Sequence, residues 1–326
     1  MKKTLAIAVV FCLMIGFHFA GAAQAAEKYP VKPITFIIPL EAGSDGDVLT
    51  RPLVQKASAV LGQPIMVVYK PGAGSTIGCR ELHNAKPDGY TVGMAAVTLL
   101  TNKLQGLMPY DHRDFTLLGT YYIFNHIMIG ATKTERPFKT IEEAIAFAKA
   151  HPGEVKLSVA SVGQSLWIAA QLFIEKTGAK FNVIPQAGAG GMTIIQAAGG
   201  HADLAVVGMG AAKSQIDAGN VKLLTVIGPK RLLPPYDYAP TLRDVGYDIS
   251  WDTFGILIGP PKMPREPADK LAKAFETAAN DPEYIKYINE RNVFQFHMLP
   301  EKMPAFLDER QKVAQEIMDK AGILKK

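Results

Sequence analysis

Five times along the chain a β-rich run meets a short turn of small residues and then a helical pattern. That repeated join restricts the fold more than any single motif does. Ile34 to Leu40 runs into Glu41-Ala42-Gly43-Ser44-Asp45-Gly46-Asp47, and Ile65 to Lys70 into Pro71-Gly72-Ala73-Gly74-Ser75-Thr76. Lys156 to Ser161 leads to Val162-Gly163-Gln164-Ser165, and Ile184-Pro185 to Gln186-Ala187-Gly188-Ala189-Gly190-Gly191. Leu204 to Met209 leads to Gly210-Ala211-Ala212. Further strands are expected at Thr91–Val97, Lys222–Gly228 and Phe254–Gly259. Several of these runs are apolar almost without break, as strands covered on both faces of a parallel sheet should be. Strands alternating with helices define an α/β fold.

Helix signals fall between the strands. Thr140-x-x-Glu143 reads as a capping box, and Ile141, Ala144, Ile145 and Ala148 form one apolar stripe behind it. Leu271, Ala274, Phe275 and Ala278 repeat that spacing. Phe306, Leu307, Val313, Ala314, Ile317 and Met318 mark a last helix, with Arg310 as a polar interruption. Pro52 is expected early in the helix that follows the first glycine turn, where a missing N–H costs little.

The N-terminus reads as an export signal. Lys2 and Lys3 precede an apolar run from Leu5 to Phe17, and small residues then end in an Ala-x-Ala pattern, with cleavage expected after Ala25. That run is shorter than the roughly 20 residues a bilayer span needs. The mature chain of about 300 residues exceeds the usual size of one core and suggests two domains. Loss of Lys2 and Lys3 takes the formal net charge from +5 to +3, because no other charged residue lies in the first 25. The remaining basic residues are scattered among acids, which argues against a nucleic-acid partner. Of two cysteines, Cys12 lies in the export segment and only Cys79 remains, so no intramolecular disulfide can form. Cys79 itself reads as a buried, inert thiol.

Turns at the carboxyl ends of parallel strands gather where ligands bind, and helix N-termini carry unpaired N–H groups and partial positive charge. Five such loops in two halves can clasp a carboxylate without any arginine. Ser44, Ser75 and Ser165 sit in these turns, but none lies in G-x-S-x-G. His83, His112, His126, His151, His201 and His297 are dispersed, with no pair at metal-site spacing. Asp45-Gly46-Asp47 is too short for a calcium loop. Asp47 is expected to cap the following helix, which leaves Asp45 the freer carboxylate and the better contact for a ligand amine. No cofactor, metal or catalytic residue is expected.

At these residues the sequence resembles the substrate-binding receptors of tripartite tricarboxylate transporters, the Bug receptors. The match begins at Tyr29-Pro30-x-Lys32-Pro33-Ile34 and continues through Ala42-Gly43, Asp47, Arg51 and Leu61-Gly62-Gln63-Pro64. Lys70-Pro71-Gly72-Ala73-Gly74, Pro87-Asp88-Gly89-Tyr90-Thr91 and Pro109-Tyr110-Asp111-x-x-Asp114-Phe115 follow, then Ala146-x-Ala148-Lys149-Ala150-x-Pro152-Gly153 and Pro240-Thr241. The resemblance implies a two-lobed periplasmic-binding-protein fold, each lobe a largely parallel sheet flanked by helices, with the ligand cleft between lobes. Lobe one would hold residues 26–126 plus 252–326, and lobe two 127–251. It implies a monomeric receptor that takes a small carboxylate and delivers it to membrane permease subunits. The ligand contacts expected are Gly43, Ser44, Asp45, Asp47, Ala73, Gly74, Thr98, Gly163, Gln164, Ser165, Trp167 and Gly188. Small residues among them would offer main-chain N–H groups, Ser44, Thr98, Gln164 and Ser165 side-chain hydrogen bonds, and Trp167 a wall.

The sequence departs from the family in three of these loops. The usual Ala-Gly-Gly is Ala42-Gly43-Ser44, the usual Gly-Ser-x-x-His is Gly163-Gln164-Ser165-Leu166-Trp167, and a frequent tyrosine is Gln186. A histidine lost and Trp167 gained suggest a larger or more apolar pocket that takes an aromatic or longer acid. A sensor subunit that presents its ligand to a membrane histidine kinase is the alternative reading, and a secreted hydrolase stands behind it.

Overall fold

The computed structural model describes residues 29–187 and 190–325. The expected export segment and Gly188 lie outside the described residues. The strands are β1 (Ile34–Ile38), β2 (Ile65–Tyr69), β3 (Thr91–Ala95), β4 (Thr116–Ala131), β5 (Lys156–Val159), β6 (Asn182–Pro185), β7 (Leu204–Gly208), β8 (Val221–Ile227), β9 (Asp252–Gly259) and β10 (Val293–Gln295). The helices are α1 (Asp45–Leu61), α2 (Thr76–His83), α3 (Thr98–Thr101), α4 (Ile141–Ala150), α5 (Ser165–Thr177), α6 (Gly191–Ala198), α7 (Met209–Asp217), α8 (Arg265–Ala279), α9 (Pro282–Asn289) and α10 (Met303–Lys320). Most expected strands stop one or two residues early, because the glycine turns begin sooner than the apolar runs end.

Strand order is β2-β1-β3-β9-β4-β7-β5-β6, with β8 and β10 also on β4. Pairing is parallel within β2-β1-β3 and within β6-β5-β7. It turns antiparallel wherever β4 or β9 enters. No strand was expected over Thr116–Ala131, yet β4 joins the two halves of the sheet. Its residues up to Asn125 pair with β9, and from His126 onwards they pair with β7 and β8. The change of partner falls between Asn125, opposite Asp252, and His126, opposite Gly208 and Ile227.

One apolar cluster lies within the first half, a second within the second half, and a third runs through both. Ile34, Phe36 and Ile38 of β1 are fully buried against Leu53 and Ala57 of α1 and Leu271 and Phe275 of α8. Burying such side chains contributes about 1.5–3 kcal/mol each. Pro52 is not near the start of α1 but halfway along its 17 residues. A proline there leaves the carbonyl four residues earlier without its helical donor. The hydroxyl of Tyr287 donates to that carbonyl, Val48 O, at 3.2 Å, and Tyr284 donates to the next, Leu49 O, also at 3.2 Å. Helix α9 thus supplies from outside what the proline withholds.

The capping box at α4 forms only in part. Thr140 Oγ1 accepts from Glu143 N at 3.2 Å, but the Glu143 carboxylate takes the N–H of Lys139, at 2.7 Å, instead of that of Thr140. Cys79 is buried, and desolvation pushes its thiol up to about 12, so the expected inert thiol is what the fold contains.

Candidate functional site

The first glycine turn is held by hydrogen bonds that close on themselves. Ser44 is the N-cap of α1, and its hydroxyl accepts from Asp47 N at 3.4 Å. Asp47, expected as the cap, sits three residues into the helix instead and reaches back to accept the Gly43 N–H at 2.8 Å. Its carboxylate also takes Arg51 Nη2 at 2.6 Å, Arg51 Nε at 3.3 Å and the Tyr69 hydroxyl at 2.9 Å. Burial acts to raise the Asp47 pKa, but the Gly43, Tyr69 and Arg51 bonds with the Arg51 charge outweigh it and hold the group below its ordinary value. Asp47 therefore anchors the loop and has no lone pair to spare for a ligand. Gly43 adopts φ +82°, a left-handed turn that suits glycine.

The second turn carries four consecutive residues at positive φ: Gly72 at 120°, Ala73 at 45°, Gly74 at 64° and Ser75 at 76°. Two of them are not glycine, and such backbone strain persists only where the surroundings hold it. Asn102 Nδ2 is one restraint, donating to Gly74 O at 2.8 Å. Asn102 Oδ1 is buried without a hydrogen-bond partner. A Cβ placed on Gly74 would lie 3.6 Å from that oxygen and 3.9 Å from Gln164 Nε2 of the opposite half. Thr98 opens α3, half-buried beside this turn, with Asn102 directly after the helix. The third turn meets the same place from the other side. Gly163, at φ +79°, lies under the Gln105 side chain, 2.5 Å from where a Cβ would stand. Gly74, Asn102, Gln105, Gly163 and Gln164 are thus brought together across the crevice, and sequence reading missed Asn102 and Gln105 because neither lies in a glycine turn.

Ser165 is tied to His126 of β4, to Trp251 and to Thr253 of β9. Its Oγ accepts from Trp251 Nε1 and from Thr253 Oγ1, each at 3.0 Å. His126 Nε2 lies 2.9 Å from Thr253 Oγ1 and 3.4 Å from Ser165 Oγ. Burial pushes His126 down to about 3, with the nearby Arg310 charge adding to the effect, so its ring is neutral. Arg310, noted only as a polar interruption, stacks 4.2 Å from the Trp251 ring and faces Asp252 at 3.7 Å. Burial raises Asp252 to about 6 against the opposing pull of Arg310. Trp167 is 4% exposed and packs in the apolar core.

Asp45 lies on the other side of the crevice. It opens α1 and reaches the start of α7, where Cβ atoms on Gly210 and Gly208 would stand 3.1 Å and 3.8 Å from its oxygens. A cavity of about 240 Å³ opens there, lined by Asp45, Phe124, Met209, Lys213, Glu290 and Arg291 among others. Phe124 and His126 point from the same face of β4, their rings 6.0 Å apart, so this cavity and the Ser165 cluster share one floor. Helices α2, α5, α6 and α7 begin with no side-chain cap. Among the described residues no group of three His, Cys, Asp or Glu is placed to hold a metal ion, and no helix is long and apolar enough to cross a membrane.

Two α/β halves joined by a crossover strand, with uncapped helix starts around the crevice between them, define a two-lobed solute-binding protein. The family model for the tripartite tricarboxylate transporter family receptor, TctC, matches residues 49–323, and the chain belongs to that family. It is 29% identical over 318 residues to a UPF0065 protein of the gbd 5′ region in Cupriavidus necator, covering 95% of this chain and 94% of that one. To the protein BugT of Bordetella pertussis it is 28% identical, over 76% of this chain and 75% of BugT. A TctC solute-binding protein from Polaromonas, solved without ligand, superposes with a TM-score of 0.76 at 28% identity, over 90% of this chain and all of that one. A Rhodopseudomonas palustris protein solved with adipate shares the fold, with a TM-score of 0.79 at 22% identity over 91% of this chain and 99% of that one.

Proposed function

We propose that the chain is exported to the periplasm, binds a small carboxylate between its halves and delivers it as a monomer to the permease subunits of a tripartite tricarboxylate transporter. The observation that carries the carboxylate reading is the set of helix starts at the crevice. Four of them lack a side-chain cap, and orphan N–H groups at a helix N-terminus favour an anion. Two Rhodopseudomonas palustris proteins of the same fold hold adipate and malate, which are carboxylates as well. The two lobes are residues 26–126 plus 252–326 and residues 127–251, a division supported by the change of partner along β4 between Asn125 and His126. In this reading Gly43, Ala73, Gly74, Gly163 and Gly188 offer main-chain groups, and Thr98 and Gln164 offer side chains. Ser44 and Asp47 shape the first turn, and Ser165 ties its loop to the crossover strands. Closure around the ligand follows from its higher affinity for the closed form.

A thermal-shift screen of ligand-free mature protein tests this. An acid that binds only the folded state adds RT ln(1 + [L]/Kd), about 2.7 kcal/mol at a hundredfold excess over Kd. Mono-, di- or tricarboxylates should raise Tm, and no shift with any acid would overturn the carboxylate reading.

A further inference from the structure

We propose that the acid taken by this receptor carries a hydroxyl group, and that Asn102 Oδ1 and Gln164 Nε2, which face one gap at Gly74, read that hydroxyl. This rests on the carboxylate-receptor reading and names its substrate more narrowly.

Asn102 directly follows α3 and is 1% exposed. Its Nδ2 donates to Gly74 O at 2.8 Å, which fixes the orientation of the side-chain amide, since a flip would set two carbonyl oxygens against each other. Oδ1 is therefore the atom left over, buried and without a hydrogen-bond partner. A buried carbonyl oxygen in that condition has given up water and gained no donor in return, and such exceptions call for a physical reason.

The gap in front of this oxygen has a second polar wall. Gly74 has no side chain, and a Cβ there would stand 3.6 Å from Asn102 Oδ1 and 3.9 Å from Gln164 Nε2. The oxygen belongs to the first half and the nitrogen to the second, so the gap lies where the halves face each other. Gly163, next to Gln164, lies under the Gln105 side chain, a further meeting of the two halves at the same place. Gln164 is half-buried at the N-cap of α5 and makes no side-chain cap bond there.

Hydrogen-bond chemistry selects the occupant. Asn102 Oδ1 calls for a donor, and Gln164 Nε2 calls for an acceptor. A hydroxyl supplies both, giving its proton to Asn102 and a lone pair to Gln164. A carboxylate has no proton to give, and an ammonium has no lone pair for the Gln164 N–H. The arrangement also ties recognition to closure. With the halves together the oxygen is shut off from solvent, so closing on a plain acid leaves it orphaned, whereas a hydroxy acid brings the missing donor. A site that leaves its own buried polar group unpaired discriminates more sharply than one that relies on fit.

Calorimetric titration of the mature chain with matched sets tests the proposal: succinate, malate and aspartate; glutarate, 2-hydroxyglutarate and glutamate; butyrate, 3-hydroxybutyrate and 3-aminobutyrate. In at least one set the hydroxy member should bind tighter than both others by about tenfold or more. Gln164→Met and Asn102→Ala should each bring that member to within about threefold of its plain acid. Thermal melts check the fold of each variant, and Gln164→Met, at a side chain with no capping role, carries the test where Asn102→Ala fails to fold. Plain or amino acids that bind as tightly as the hydroxy member in every set would overturn the inference. So would a hydroxyl preference that survives either substitution in folded protein. Binding by no member of any set would instead sink the carboxylate reading, and this inference with it.

Discussion

The turn at residues 43–47 and the turn at residues 163–165 look alike in sequence, each a strand end, a glycine and a serine ahead of a helix. Their hydrogen bonding differs in reach. In the first, Ser44 accepts from Asp47 N and Asp47 accepts from Gly43 N, and the longest reach is the 22 residues from Tyr69 to Asp47. In the second, Ser165 is met by Trp251 and Thr253, 86 and 88 residues away. The first turn is closed by its own residues and the first turns of α1, with Tyr69 of β2 as a donor from outside. The second is a joint between α5 and the strands that pass from one half to the other.

That contrast can be broken or sharpened by substitution. Asp47→Ala should have the largest effect, about 2–4 kcal/mol of lost stability in denaturant titration, because it strips four donors of one buried acceptor. A loss below about 1 kcal/mol would mean the carboxylate is not the anchor of the turn. Ser165→Ala should cost about 1–3 kcal/mol by leaving the buried Trp251 N–H without its acceptor. Ser44→Ala should cost less, about 0.5–1 kcal/mol, since its single capping bond is long at 3.4 Å. The reverse ranking of the two serines would contradict the division into a local turn and a long-range joint.

Protonation of His126 gives a further test of the joint. Its folded pKa is depressed to about 3 from an ordinary 6.5, so on acidification the unfolded chain takes up a proton that the folded chain refuses. Stability should therefore fall as pH drops through 6.5, with a slope of at most about 1.4 kcal/mol per pH unit for one proton. Asp252 works the other way below its folded pKa of about 6, because the folded chain then binds the extra proton. Between pH 7.5 and 6 His112, also lowered by burial, acts with the same sign and Asp252 increasingly opposes both, so the share of His126 is the flattening that His126→Asn should produce there in denaturant titrations. An unchanged slope would mean that the buried ring is not what titrates.

How much was legible follows from the same difference in reach. Strands β1, β2, β3, β5, β7, β8 and β9 and helices α1, α4, α5, α8 and α10 were readable because their apolar runs and spacings are local properties of the chain. The identity of the cap at α1 was misread, because Asp47 and Ser44 both suit the role and only the backbone decides which residue leaves the helix. Pro52 was placed too early for a related reason: nothing near it in sequence reveals that Tyr287 stands over the carbonyl it leaves open. Strand β4 went unread because Asn125 and His126 interrupt its apolar run where it changes partners, and both side chains are buried by the packing of distant elements. In the crevice, the glycine turns were visible, but Asn102, Gln105, Trp251, Thr253 and Arg310 were not. Their roles come from where other segments place them, and Trp167 shows the converse, a conspicuous residue that the core absorbs.

Hydrogen–deuterium exchange of the mature protein, with and without a bound acid, tests most directly that the facing turns enclose the ligand. Slowed exchange should concentrate on the backbone amides at 43–47, 72–76, 163–167 and 208–212, with the outer strands β2 and β6 unchanged. Protection confined to other segments, or none at all under saturating acid, would contradict a ligand held between the two halves by their helix starts.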